Sequence, residues 1–193
     1  MTWSELSTTI TTTHFTSYQL QRLFPDESSE QINTQLWRWC KQGKLIRLKQ
    51  GLYVFANASL DEYTISSLLY QPSYVTAESV LNTAGIIPDI PMSTVAVTPK
   101  TTKMYNNHFG RFQYHKIKSE LFFGFRVQQD ANGQNNYFIA EPEKALLDFV
   151  YLRKMSDLHD TRIDSTYLDL GRLGELGTVF PDWVKQAVAT LRS

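Results

Sequence analysis

The spacing of hydrophobic and polar positions over residues 1–60 predicts four elements in order. A short helix is expected around Trp3 to Thr12, its ends blurred by threonines of modest helix propensity. A second opens at Thr16 or Ser17, either a good N-cap, carries Leu20, Leu23 and Phe24 at helical spacing, and ends at Pro25-Asp26. A third runs from about Glu27 to Gln42, with Asp26 as N-cap and Gly43 suited to a left-handed C-terminal residue. The fourth is a hairpin, Leu45 to Lys49 and Leu52 to Phe55 around Gln50-Gly51. A domain boundary is expected near Asn57-Ala58-Ser59, which gives domains of 1–57 and 58–193.

Beyond that boundary the pattern alternates between the two periods. Helices are expected over Asp61 to Tyr70, Ala77 to Asn82 (ended by Gly85), Glu143 to Arg153, Tyr167 to Leu173 and Asp182 to Leu191. Pro142 suits the first position of the third of these, whose inner face carries Leu146, Leu147 and Val150. Pro72 to Thr76 is extended. Ser93 to Thr98, Phe109 to Ile117, Phe122 to Gln128 and Asn136 to Ala140 are expected strands, with a turn at Asp130 to Gly133. The fold class is therefore α+β, with a mixed α+β domain after the N-terminal unit.

Three helices followed by a two-stranded hairpin is the order of a winged helix-turn-helix, with the third helix as the reading element. At about 100° per residue, Ile32, Leu36, Trp39 and Cys40 share one arc, the core side. Gln31, Thr34, Arg38 and Lys41 lie opposite, Gln35 sits at the edge, and Trp37 falls between the faces, expected to pack under the hairpin or against the second domain. Gln and Arg pair with purine edges, Thr meets a thymine methyl or a phosphate, and Lys neutralises phosphate. Arg47, Lys49 and Gln50 in the hairpin, and Ser17 at the start of the second helix, complete the expected contact set for double-stranded DNA. A winged helix used only for protein contact is the alternative.

Charge sharpens this picture. The 193-residue chain carries 19 Lys+Arg and 19 Asp+Glu, so no global field draws it to a polyanion. Its order is uneven. Six bases stand against four acids in residues 1–60, yet from Gln31 to Leu60 there is no acid at all. A second acid-free stretch, Ile90 to Ser119, holds Lys100, Lys103, Arg111, Lys116 and Lys118, either a second basic surface or ordinary solvated strand faces. The single cysteine, Cys40, excludes an internal disulfide and fits a reducing compartment. No apolar run nears the roughly 18 residues of a spanning helix, and residues 1–5 lack the pattern of a signal peptide. A cytoplasmic protein with no membrane partner is expected.

The sequence offers little catalytic chemistry. His14, His108, His115 and His159 do not pair at ligand spacing, so neither a metal nor any cofactor is expected. Nucleophile-elbow and phosphate-loop motifs are absent. Glu141-Pro142-Glu143-Lys144 invites comparison with the Glu-x-Lys of restriction-type nucleases, but the spacing differs. The simpler reading makes Glu141 and Glu143 helix-start acids and Lys144 with Asp148 an i,i+4 pair.

Four motifs stand in order: Gly43 to Val54, Pro72 to Leu81 with Gly85-Ile86-Ile87, Gly110 to Ile117, and Ile139 to Asp148. Together they resemble the AbiEi-like antitoxins of type IV toxin–antitoxin (abortive infection) systems; the likeness covers about residues 15–155, and the tail departs from it. The resemblance implies a non-enzymatic protein that represses its own operon through the N-terminal winged helix. It also implies an effector domain that counters a toxin of nucleotidyltransferase fold encoded beside it, without an obligatory stable complex. The rival readings are a stand-alone regulator with a ligand- or protein-sensing second domain, and an interaction protein that docks a toxin through the second basic stretch. A nuclease using Glu141 or Glu143 is a further rival.

Overall fold

A computed structural model describes residues 1–159 and 161–192. The chain divides into two compact units. The first comprises Met1–Asp61 with Asn107–Phe109, the second Glu62–Asn106 with the described residues from Gly110 onward.

In the first unit, α1 (Trp3–Thr9) opens with a capping box in which Thr2 and Glu5 bond each other's backbone N–H. The helix stops three residues short of the expected Thr12, because Ile10 turns extended and the chain enters an unexpected strand, β1 (His14–Thr16). α2 (Ser17–Leu23) is capped by Thr16, paired with Gln19. α3 (Ser29–Lys41) begins two residues later than Glu27, and its N-cap is Ser28 rather than Asp26. The Gln31 carbonyl accepts from Ser28 N–H at 2.8 Å, and Ser28 Oγ accepts from Gln31 N–H at 3.2 Å. Asp26 has no such partner three residues on. Gly43 takes the left-handed conformation, as its place after α3 requires. β2 (Leu45–Lys49) and β3 (Leu52–Phe55) form the expected hairpin, with a register shift between Arg47 and Lys49, and β1 adds on the far side of β3 to give the antiparallel order β1-β3-β2. Leu6, Phe15, Leu20, Ile32, Leu36, Trp39, Leu45 and Tyr53 form the core. Leu23, expected with them, is exposed at the end of a two-turn helix.

The second unit holds α4 (Glu62–Leu69), β4 (Tyr74–Val75), α5 (Glu78–Thr83), β5 (Thr94–Thr98), β6 (Lys103–Asn107, all but its last residue), β7 (Gly110–Lys116), β8 (Phe125–Gln129), β9 (Asn136–Ala140), α6 (Pro142–Arg153), α7 (Leu170–Gly177) and α8 (Asp182–Ala189). Its six-stranded sheet has the order β6-β7-β5-β4-β9-β8. β5 with β7 and β4 with β9 are parallel, whereas β4 with β5 and β8 with β9 are antiparallel, so the sheet is mixed. β8 starts three residues after the expected Phe122, because a 3-10 turn over Ser119–Leu121 and a left-handed Gly124 precede it. The helix expected from Tyr167 begins at Leu170, where the Asp169 carboxylate caps Gly171 and Arg172.

α6 leaves β9 directly, with Pro142 at its first turn, and packs against α5, α7 and α8. Burial surrounds it: Leu146, Leu147 and Val150 are buried as expected, and so are Glu143, Lys144 and Asp148. The two helix-start acids tie α7 in place. Arg172 donates to both Glu141 oxygens, at 2.8 and 3.0 Å, and Glu143 Oε1 accepts from the Asp169 N–H at 2.9 Å. Among the described residues no helix is long and apolar enough to cross a membrane.

Candidate nucleic-acid interface

α3 supplies the site, and its polarity follows from its core contacts. Ile32, Leu36 and Trp39 turn inward, with Cys40 half-buried beside them. Burial raises the Cys40 thiol pKa and Arg47 opposes that rise. Gln31, Thr34, Arg38 and Lys41 are exposed on the other side, and Gln35 is at the edge. These five residues thus stand where their periodicity placed them. Two are partly engaged: Gln31 contributes its carbonyl to the capping box, leaving its amide N–H groups to donate, and the Gln35 amide donates to Met1 O at 3.4 Å. The N-terminal half of this face is not uniformly basic. Glu27 is paired with the chain's amino terminus, and Glu30 sits in the first turn, where the helix dipole favours it.

Trp37 departs from expectation. It does not pack under the hairpin; it is 61% exposed, with the Lys41 ammonium 5.8 Å from its ring. The aromatic space inside this unit is already filled by Trp3 against Trp39 and Phe55, with centroids 5.3 and 5.9 Å apart, and by Phe15 against Phe55.

The hairpin is latched to the start of α2. Ser17 N–H donates to Gly51 O at 3.0 Å, and a Cβ at Gly51, whose φ is +75°, would stand 3.3 Å from Ser17 Oγ. Ser17 is therefore half-buried against the turn. Arg47 and Gln50 are exposed, and Arg47 Nε donates to Lys49 O at 3.4 Å.

In the second unit, Lys100, Lys103, Arg111, Lys116 and Lys118 are all exposed, but strand alternation divides them. Lys103 lies 5.6 Å from the Tyr105 ring and 6.0 Å from that of Tyr70, while Arg111 faces Met104 on the other side, with Nε 3.1 Å from its sulfur. Lys116 follows Phe112 and Tyr114 on their face of β7. Lys100 donates to Gln71 O at 2.7 Å, and Lys118 pairs with Glu120 at 3.5 Å. The five do not make one patch.

Two features of this unit escaped the periodicity. One is a buried polar network on α6. Lys144 Nζ donates to Asp148 and, at 2.7 Å, to Tyr74 Oη; Asp148 Oδ2 accepts from Tyr74 Oη at 3.0 Å and Thr76 Oγ1 at 2.8 Å. The ammonium also lies 5.0–5.3 Å from the centroids of Tyr74, Phe123 and Phe180, whose faces favour a cation. Burial lowers the Lys144 pKa and raises that of Asp148, and each charge opposes the shift of the other. The i,i+4 spacing was the only signal, and it says nothing of depth. The second is an apolar recess of about 460 Å³ lined by Pro72, Ser73, Phe122, Phe125 and Phe138. Among the described residues no three His, Cys, Asp or Glu side chains are grouped to hold a metal ion.

Compared with known protein families and with curated proteins, the chain matches neither a family profile nor an individual sequence.

Proposed function

We propose that residues 1–57 act as a winged helix-turn-helix that binds double-stranded DNA, and that the chain is an AbiEi-like antitoxin that represses its own operon. The observation that carries the DNA reading is the outward face of α3, where Thr34, Arg38 and Lys41 stand exposed together on a helix fixed by its opposite face. Arg38 and Lys41, with Gln31, Thr34 and Gln35, read the major groove, and Arg47, Lys49 and Gln50 hold the flanking backbone. Ser17, beside Gly51, sets the hairpin against α2. Occupation of the operator excludes polymerase, so the protein acts by binding and not by catalysis. The antitoxin role rests on the four sequence motifs in order, the last of which spans the start of α6. Its target is a toxin of nucleotidyltransferase fold encoded alongside it, opposed in a reducing cytoplasm.

Fluorescence-anisotropy titration against the protein's own upstream DNA and a scrambled duplex, at two salt concentrations, tests the first half. Preference for the upstream duplex at both salts is expected, with Arg38→Ala and Arg47→Ala each weakening it. Unchanged affinity in both variants removes the groove assignment. Growth rescue on co-expression with the neighbouring nucleotidyltransferase-fold protein tests the second half. The recess beside Phe122, Phe125 and Phe138 favours a second reading, a regulator whose C-terminal unit senses an apolar ligand. Failure of rescue with retained DNA binding would select it.

A further inference from the structure

Trp37 is the one large apolar side chain exposed on α3 among the described residues. If Thr34 marks the pole opposite the core, helical geometry puts Lys41 about 20° away, Arg38 about 40°, and Trp37 about 60° on the Lys41 side. The indole therefore belongs to the outward face and not to its margin. Lys41 lies against its ring, so a cation and an apolar plate occupy the same spot. Glu30, in the first turn, is the one acid on this side of the helix; from Gln31 to Leu60 there is none, so the surface around Trp37 and Lys41 suits a polyanion better than an apolar protein groove.

Inside duplex DNA the bases present only their edges to a helix in the major groove. The apolar feature on those edges is the thymine 5-methyl group. Arg38 and Lys41 have charge to satisfy; the indole has area to bury. We infer that Trp37 reads thymine in the operator by covering a 5-methyl group, while Lys41 beside it holds the adjacent phosphate. This rests on the DNA-binding reading above and assigns a thymine contact to Trp37 in addition to the one open to Thr34, the other side chain of this face able to meet a methyl group. Aliphatic and aromatic contact to that methyl distinguishes T·A from A·T at one position, where hydrogen-bonding side chains read purines.

The test is a chemical double-mutant cycle on the full-length protein. Labelled upstream duplex is prepared with thymidine or with deoxyuridine throughout, which removes every 5-methyl group and leaves the pairing intact. Wild type and Trp37→Ala are titrated against both by anisotropy. Loss of one buried methyl contact corresponds to roughly fourfold weaker binding. Wild type is expected to bind the deoxyuridine duplex at least that much more weakly, whereas Trp37→Ala binds the thymidine duplex more weakly and no longer distinguishes the two. An equal thymidine preference in wild type and variant overturns the inference, since the methyl effect then acts through DNA shape or another residue. Specific binding to upstream DNA with no thymidine preference in wild type also overturns it and leaves the groove assignment standing. If wild type does not prefer upstream over scrambled duplex, the DNA reading falls and this inference falls with it. The wild-type comparison needs no substitution, so it is immune to any folding defect in the variant.

Discussion

Placing Lys144 and Asp148 inside α6 takes two charges out of water, at a cost of several kcal/mol per ion before they meet. Their mutual contact, two hydroxyls on Asp148 and three aromatic rings around the ammonium offset that cost. Each group is therefore dependent on the other. Lys144→Met or Asp148→Asn alone should lower the stability of this unit by about 3–5 kcal/mol. The double variant keeps an acceptor for Tyr74 and Thr76, and it should cost clearly less than the sum, as read from urea unfolding of all four proteins. His115 offers a second residue-scale test. It is half-buried on β7, its Nε2 atom is buried without a hydrogen-bond partner, and burial lowers its pKa, with Arg153 adding to the shift and Glu78 opposing it. A lowered pKa means the fold prefers the neutral ring, so the unfolded chain takes up the proton first as pH falls. Stability is thus full above the ordinary histidine range, near pH ~6.5, and declines below it. In His115→Gln the decline from neutral pH toward pH 5 should be shallower; an identical decline would mean the acid sensitivity lies elsewhere.

Elements differ in how far local sequence determines them. α3 carries a two-faced pattern over three turns and α6 an apolar run behind a proline, so both were legible. β1 has three residues within a threonine-rich stretch, and its only reason to be extended is its pairing with β3, about 40 residues away. β6, Lys103–Asn107, is an edge strand whose residues are mostly exposed, so it lacks the alternation that announces a strand. Its partner β7 alternates cleanly and was legible. The outward residues of α3 were legible because periodicity is a property of one helix. Trp37 is exposed by the same periodicity, about 60° from Thr34; the expectation that it packs inward came from its apolar bulk, which the cluster of Trp3, Trp39, Phe15 and Phe55 does not include. The cap of α3 is tested directly: Ser28→Ala should cost about 1 kcal/mol in urea unfolding followed by tryptophan fluorescence. Asp26→Ala, which removes the residue first expected there, should change it far less.

For the whole molecule, the zero formal charge conceals segregation. Residues 31–60 are acid-free while Glu5, Asp26, Glu27 and Glu30 precede them, and four bases, Arg38, Lys41, Arg47 and Lys49, lie on α3 and the following hairpin. The five bases of the second acid-free stretch are divided between strand faces and two of them are engaged, Lys100 with Gln71 and Lys118 with Glu120, so on the proposed DNA reading affinity should depend on the first unit and not on that stretch. On that reading, if Arg38, Lys41, Arg47 and Lys49 each displace one counterion, the logarithm of the binding constant should fall with the logarithm of salt concentration at a slope of about −3 to −4. Arg47→Ala should reduce that slope by about 1, and Lys103→Ala should leave it unchanged. A slope equally sensitive to Lys103 would assign the second basic stretch to nucleic acid as well. The α+β class could be read from the chain. The mixed order β6-β7-β5-β4-β9-β8 could not, because its parallel pairs join residues far apart in sequence.

Gly124 shows how the buried pair constrains the history of its neighbours. Its φ of +70° alone would admit an asparagine. A Cβ there, however, would stand 3.0 Å from Lys144 Cγ and 3.1 Å from Cδ, in the stem that carries the ammonium to Asp148. Any side chain at 124 therefore needs the Lys144 stem to give way by a few tenths of an ångström, and that stem is fixed at its far end by the contact with Asp148. Change at 124 should cost more while residue 144 is lysine than after it is shortened, and shortening it strands a buried carboxylate. Among divergent descendants of this sequence, glycine at 124 should persist wherever the lysine does.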